Sequence, residues 1–568
     1  MTMDELQIAL ARLDARLQTL ERRVQVLEGD TPRARSALAG IQVASAQASA
    51  ELTLPLASGV FPVVGKSMLG IAGAYLLRAV AESGSFPKLA VVALALGYAA
   101  AWMVWASRVP VGADFAGTAY AATSALILAP MLVELALRFQ VLSAGATAGL
   151  LAAFVVGAVA LAWRRKLTPL VWVAEGAAVL TSFGLLVASH DLVPYIATLL
   201  VAALASELAA GAGRWLGLRF LVAPVADAAL LILVYINSLP ESSRPGYTPV
   251  SIASLLALPS LMFAVYGAGI LWRTVGQRCR ASVLEIVQSA VLFVLAARAW
   301  LWFAPAAGPT VVGICCWLFA VACYAAAFVS FDRIDEQRNY HLYATWGVAL
   351  VLAGCFLMMP PLLAALLLSV AAVIATVIGV RVARLTPEFH GLVYLTAAAY
   401  ASGLLRYAAQ ALAGTFPTAP GWMVWVVAVA ALACFAIGGR FPGEFWNERL
   451  LRLLAAVLAT SAVATFLVSC LVWLATIGMT LGAAHVAVIR TLITCGLALG
   501  LAAAGSRWRR IELAWTAYGM LAVVGAKLLF EDLPHGHSGA IAISIFLYAV
   551  TLILVPRVAR MGRTQGPA

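Results

Sequence analysis

The sequence is poor in charge. Asp, Glu, Lys and Arg make up only 11% of its 568 residues, 63% are hydrophobic, and the mean hydropathy is +0.97. So little polar surface cannot cover a soluble globule of this length. Lysine is scarcer still: among 37 basic residues only Lys66, Lys88, Lys166 and Lys527 are lysine. The alanine- and arginine-rich remainder reads as the codon bias of a GC-rich bacterium. Cysteine is sparse and scattered, with eight residues and no CxxC pair, which excludes a zinc ribbon and a disulfide framework. The six histidines form no HExxH, and there is no GxSxG elbow. Gly59 to Ser67 imitates a phosphate loop, but five residues separate Gly59 from Gly65 where that loop has four. The first thirty residues are polar, so no cleavable signal peptide is expected. The net charge of +12 sits on no soluble basic module, which argues against nucleic acid. Also excluded are a secreted disulfide scaffold and a soluble enzyme on a membrane anchor.

What the chain does have is apolar runs near twenty residues long. Each matches the length needed to cross a hydrocarbon core of ~30 Å at ~1.5 Å per residue. They recur from residue 58 to residue 557 and give about eighteen expected spans, the first at 59–80 and the last at 538–556. Single spans are expected at 389–412 and at 421–438. The predicted fold is therefore all-α, a polytopic transmembrane helical bundle. Residues 1–30 form a short coiled-coil helix, 31–57 a linker, 58–557 the transmembrane domain and 558–568 a cytoplasmic tail. The coiled coil rests on Met3, Leu6, Leu10, Leu13, Leu17, Leu20, Val24 and Leu27, a heptad seam. It predicts a homo-oligomer or partner contact through residues 1–30, with a helix lying on the membrane as the alternative.

Basic residues accumulate in cytoplasmic loops. With the amino terminus inside, the inner loops and tail hold 22 basic residues, and the outer loops and helix ends hold four: Arg78, Lys88, Arg138 and Arg244. Both termini are thus expected in the cytoplasm of a bacterium, with the chain in its inner membrane and the lipid bilayer as its first partner. Trp300, Trp302, Trp422, Trp425 and Trp473 fall near the outer boundaries, where an aromatic belt is the commoner reading and a sugar-stacking platform the rarer. Gly145 with Gly149, and Gly496 with Gly500, have the spacing of close helix contacts.

Ionisable groups at depth cost at least about 2.5–3.5 kcal/mol each on insertion scales, so each one asks for a reason. Arg298, Arg406, Arg490 and Lys527 lie toward the outer ends, Glu175, Glu207 and Glu285 toward the inner ends, and Asp227 nearest a midplane. Glu134 with Arg138, Arg78 with Glu82, Arg406 with Gln410 and Lys527 with Glu531 stand four apart, the α-helical spacing of one face. One reading makes these bases the lining of an outward-open cavity for an anionic or polyhydroxyl ligand, since guanidinium grips carboxylate or phosphate with two bonds. In the other they snorkel to the headgroups. Asp227 is the candidate for ion or proton coupling, or else a hydrogen-bonded structural acid. His535 and His537 beside Glu531 and Asp532 could hold a metal, though a solvated loop is the plainer reading. No cofactor and no metal are expected.

Two local patterns resemble the bacterial membrane proteins of the domain-of-unknown-function 2339 family. One is Gly65 to Gly70 followed by Leu76, Leu77, Arg78, Glu82, Gly84 and Pro87; the other is Lys527, Phe530, Asp532 and Leu533 before the last helix. Gly539 and Ala540 stand where that family carries an arginine. The resemblance implies the same architecture, no known activity, and Arg78, Glu82, Lys527 and Asp532 as positions to test. The expected function is transport or handling of an anionic or glycan-like envelope solute of unknown identity. The alternatives are a non-catalytic scaffold assembling envelope machinery through the coiled coil, and a membrane enzyme acting on lipid-linked saccharides. The outer loops are too short to build a catalytic domain, which disfavours the enzyme.

Overall fold

The computed structural model describes residues 60–80, 87–110, 114–165, 168–214, 216–331, 337–382, 384–412, 423–438, 446–476, 483–532 and 538–561. The expected coiled coil and linker lie outside the described residues, as do Glu82, Leu533, His535 and His537. Among the described residues there is no strand, and the chain is an all-α polytopic bundle. It divides into two compact units, residues 1–254 and 255–568.

The first unit contains α1 (Val60–Val80), α2 (Lys88–Arg108), α3 (Asp114–Val133), α4 (Ala144–Arg165), α5 (Thr168–Ser189), α6 (Leu192–Gly211) and α7 (Arg219–Ser238). Helix α5 packs on α3, α4, α6 and α7. Alanines fill the seams: Ala121, Ala158, Ala174, Ala203, Ala223 and Ala226 are fully buried. Lipid tails are as apolar as leucine, so helices in a bilayer gain by close packing, and small side chains permit it.

The second unit continues with α8 (Ile252–Leu271), α9 (Val283–Phe303), α10 (Gly308–Ala325), α11 (Gln337–Met358), α12 (Pro361–Val382), α13 (Leu385–Ala401), α14 (Leu404–Leu412), α15 (Met423–Ile437), α16 (Trp446–Thr476), α17 (Ala483–Arg507), α18 (Ile511–Lys527) and α19 (Ser538–Met561). A large apolar cluster joins α11 to α16 through residues such as Leu368, Leu395, Val427 and Ala455. A smaller cluster of Ala498, Ala517, Leu521 and Val555 joins α17, α18 and α19.

Fifteen helices among the described residues are long and apolar enough to cross a membrane. The expected run at 89–106 is met by the 21-residue α2. Two expected spans have other shapes. That at 421–438 is the 15-residue α15. The run at 389–412 is not one helix. Gly403 adopts φ +81°, the left-handed conformation that ends helices, and its N–H donates to the Tyr400 carbonyl at 3.0 Å. The chain stops at Ala401 and restarts at Leu404.

Among the described residues four helices end in a π-helical turn: Glu134–Arg138 after α3, Trp272–Gly276 after α8, Ala326–Phe331 after α10 and Leu528–Asp532 after α18. Such i to i+5 turns are rare and shift the face a side chain occupies. Three of these four carry one member of an ion pair: Glu134 with Arg78, Arg273 with Glu285, and Asp532 with Lys527.

Candidate functional site

The most completely built polar site lies between α17 and α18. Lys527 is 5% exposed and its ammonium donates three hydrogen bonds, to the Ala487 carbonyl at 3.0 Å, Thr491 Oγ1 at 2.9 Å and Asp532 Oδ1 at 2.7 Å. The Thr491 hydroxyl approaches Asp532 Oδ2 at 3.4 Å. The sequence spacing set Glu531 four residues on from Lys527, on one helix face. The π turn brings i and i+5 together and so delivers Asp532 to the ammonium. An ammonium has three donors, and all three are engaged. The arrangement is a latch that neutralises a buried charge and ties α18 to α17.

The other expected bases separate into two kinds. Arg490, beside Thr491 on α17, is buried, and the Tyr407 hydroxyl of α14 lies within the field of its charge. Arg406 on the same short helix is exposed. Arg298 is exposed too, and shares one face of α9 with exposed Val283, Val287, Val291, Val294 and Trp302. Its guanidinium sits over the Trp302 ring at 4.2 Å from the centroid. The described structure therefore does not gather Arg298, Arg406, Arg490 and Lys527 around one lined cavity.

In the first unit Arg78 reaches across from α1 to Glu134 at 2.8 Å. Both line a cavity of about 300 Å³ walled by Tyr75, Ile127, Pro130 and Phe139. Asp227 is half-buried on α7. Nearer the arginine-rich end, Arg219 of α7 grips Glu207 of α6 with two parallel bonds, Nε to Oε1 at 2.7 Å and Nη2 to Oε2. Glu175 of α5 is fully buried, and neither of its oxygens has a hydrogen-bond partner.

At the corresponding end of the second unit, Glu285 begins α9 in a capping box with Ser282. Its Oε2 accepts from the Ser282 N–H at 2.7 Å and from the Ser282 hydroxyl at 2.9 Å, and its Oε1 binds Arg273. Asn339 clasps the same connection, donating to the Cys279 carbonyl at 2.9 Å and accepting from the Ala281 N–H at 3.0 Å. A further polar cluster joins α10 to α13, where the Tyr324 hydroxyl meets that of Tyr394 at 2.6 Å and His390 Nδ1 at 3.2 Å.

Sequence reasoning missed an aromatic-walled cavity. About 480 Å³ lies between α8, α9, α10 and α11, lined by Phe263, Phe293, Trp300, Phe319 and Trp346 among others, with no charged side chain in its wall. Trp300 Nε1 donates to Ser260 Oγ at 3.1 Å, which satisfies the indole on the cavity wall. The volume falls in the range of small-molecule pockets. Among the described residues no three His, Cys, Asp or Glu side chains cluster as metal ligands. Compared with family models, with curated proteins and with solved structures, the chain matches none.

Proposed function

We propose that this multi-pass membrane protein binds and handles an anionic lipid or lipid-linked solute of the bacterial envelope, holding its hydrocarbon chain between α8, α9, α10 and α11. The single observation that carries this reading is the apolar, aromatic-walled cavity of about 480 Å³. A polyhydroxyl solute would find few polar partners in that wall, chiefly the hydroxyls of Ser260, Ser289 and Tyr343. A hydrocarbon chain finds matched surface.

The energetics divide the roles. A methylene leaving water gains about 0.8 kcal/mol, but one leaving a bilayer gains almost nothing from the transfer itself. Selection then rests on the shape of the aromatic wall and on the head group. Arg298 lies next in sequence to the lining residue Ala297 and one turn from Trp302, where its guanidinium can grip phosphate or carboxylate with two bonds. In this reading both termini lie on the arginine-rich, cytoplasmic side and the head group is handled at the opposite surface.

Gly267 lines the cavity, and a Cβ added there meets nothing within 4 Å. Gly267→Leu builds a side chain toward that space from an open Cβ position. Lipid retained by the detergent-purified protein, measured by native mass spectrometry, is expected to fall about tenfold, the equivalent of ~1.4 kcal/mol. Arg298→Gln is expected to leave the chain bound and erase the preference for anionic over zwitterionic head groups. Unchanged lipid load and class in both variants would sink the proposal.

A further inference from the structure

Glu175 is a buried acid outside the lipid cavity. It lies in the eighth position of α5, about 10 Å along the helix axis from Thr168. Val171, Ala174, Ala178 and Val179 flank it on the same buried face. The helices packed on α5 carry few ionisable groups. Asp114 begins α3, Glu134 and Arg138 lie in the π turn after it, Arg164 and Arg165 end α4, Glu207 is on α6, and Arg219 and Asp227 are on α7. The phenols of Tyr120, Tyr195 and Tyr235 complete the set. Glu134 is bound to Arg78 and Glu207 to Arg219, and none of the set hydrogen-bonds to Glu175.

An ionised carboxylate without a partner is far too costly in an apolar interior, and such a group takes up a proton instead. A metal ion would need several further oxygen ligands, and the described residues bring no metal-ligating cluster to Glu175. A proton needs only the carboxyl. Along the same face, Ser182 and Ser189 follow at seven-residue steps, and the Ser182 hydroxyl is likewise fully buried and unpartnered. Ser189 Oγ accepts from the Asp191 N–H at 3.3 Å, where the helix ends. Hydroxyls both donate and accept, so with intervening water this file can pass a proton.

We infer that Glu175 is a proton-binding site inside the first unit, carrying its carboxyl as COOH at neutral pH and exchanging that proton with the Asp191 end of α5 along the Ser182 and Ser189 face. A glutamate in water, with a pKa of about 4.3, is ionised at neutral pH, so the claim can be read spectroscopically. Infrared spectra of the full chain in lipid are expected to show a protonated-carboxyl C=O stretch at neutral pH that disappears in Glu175→Gln. In heavy water that band is expected to shift as the proton exchanges, several-fold more slowly in Ser182→Ala than in the wild type.

Dicyclohexylcarbodiimide gives a second readout on the unmodified chain. The acid proton moves to a carbodiimide nitrogen while the carboxylate oxygen bonds to the central carbon. An oxygen-to-nitrogen acyl shift then leaves a stable N-acylurea, with no other reactant. Peptide mass spectrometry is expected to place the adduct on Glu175 and not on the ion-paired Glu207. The same carboxyl band in wild type and Glu175→Gln would overturn the site, and an unchanged exchange rate in Ser182→Ala would overturn the route.

Discussion

Glu175 in the first unit and Lys527 in the second are both almost wholly removed from solvent within long apolar helices, yet their surroundings are opposite. Lys527 has every donor engaged, two of them by α17 and one by the π turn that follows it. Glu175 has two acceptor oxygens and no partner. Depth alone therefore does not separate a structural charge from a functional one in this protein. Completeness of the hydrogen-bond shell does, because a satisfied pair is inert, whereas an orphan group must change protonation or find a ligand.

The comparison breaks most visibly at the latch. Lys527→Met leaves Asp532 as a buried anion, with the long Thr491 contact at its other oxygen. Removing one partner of a buried pair costs about 3–5 kcal/mol, whereas apolar replacement of both is often neutral or better. The thermal midpoint in detergent is expected to fall sharply in Lys527→Met and to recover most of the loss in Lys527→Met with Asp532→Leu. A single variant as stable as wild type would mean that the latch holds nothing.

A smaller loss is expected where a carboxylate keeps other partners. Arg273→Gln removes one bond to Glu285 Oε1, but the Ser282 N–H and hydroxyl still hold Oε2. Losing a single hydrogen bond to a charged group costs about 1.5–3 kcal/mol. Differential scanning calorimetry should place this variant between wild type and Lys527→Met. Equality with Lys527→Met would show that the capping box carries no share of the charge.

These partners explain how far the sequence could be read. Hydropathy located the helices because span length is a one-dimensional property, and α1 to α13 begin close to where the apolar runs begin. It ran two helices together at 389–412 because Gly403 is one glycine among 45, and only its φ marks it as a helix end. The i, i+4 rule identified Lys527 as a charged position but assumed α geometry where the chain makes a π turn. Ion pairs between helices, such as Arg78 with Glu134 and Arg219 with Glu207, depend on which faces meet, and spacing along one chain does not encode that. The outward aim of Arg298 was readable: Val287, Val291, Val294, Arg298 and Trp302 step by four, three, four and four, a stripe of one helix face. The aromatic cavity left no such trace, because Phe263, Phe293, Phe319 and Trp346 come from four separate helices.

The smallest expected effect has the opposite sign and sharpens the comparison. Glu175→Leu replaces the carboxyl with a branched apolar side chain of similar reach among Val171, Ala178 and Val179. Leaving a buried polar group unsatisfied costs about 1–3 kcal/mol, and leucine removes that cost while its branching adds some strain against the neighbouring helices. The two terms nearly cancel, so the thermal midpoint is expected to match wild type or rise slightly. If Glu175→Leu were instead destabilised as strongly as Lys527→Met, the carboxyl would have to be bound to something that stabilises its charge. The contrast between a closed latch and an open acid would then be lost.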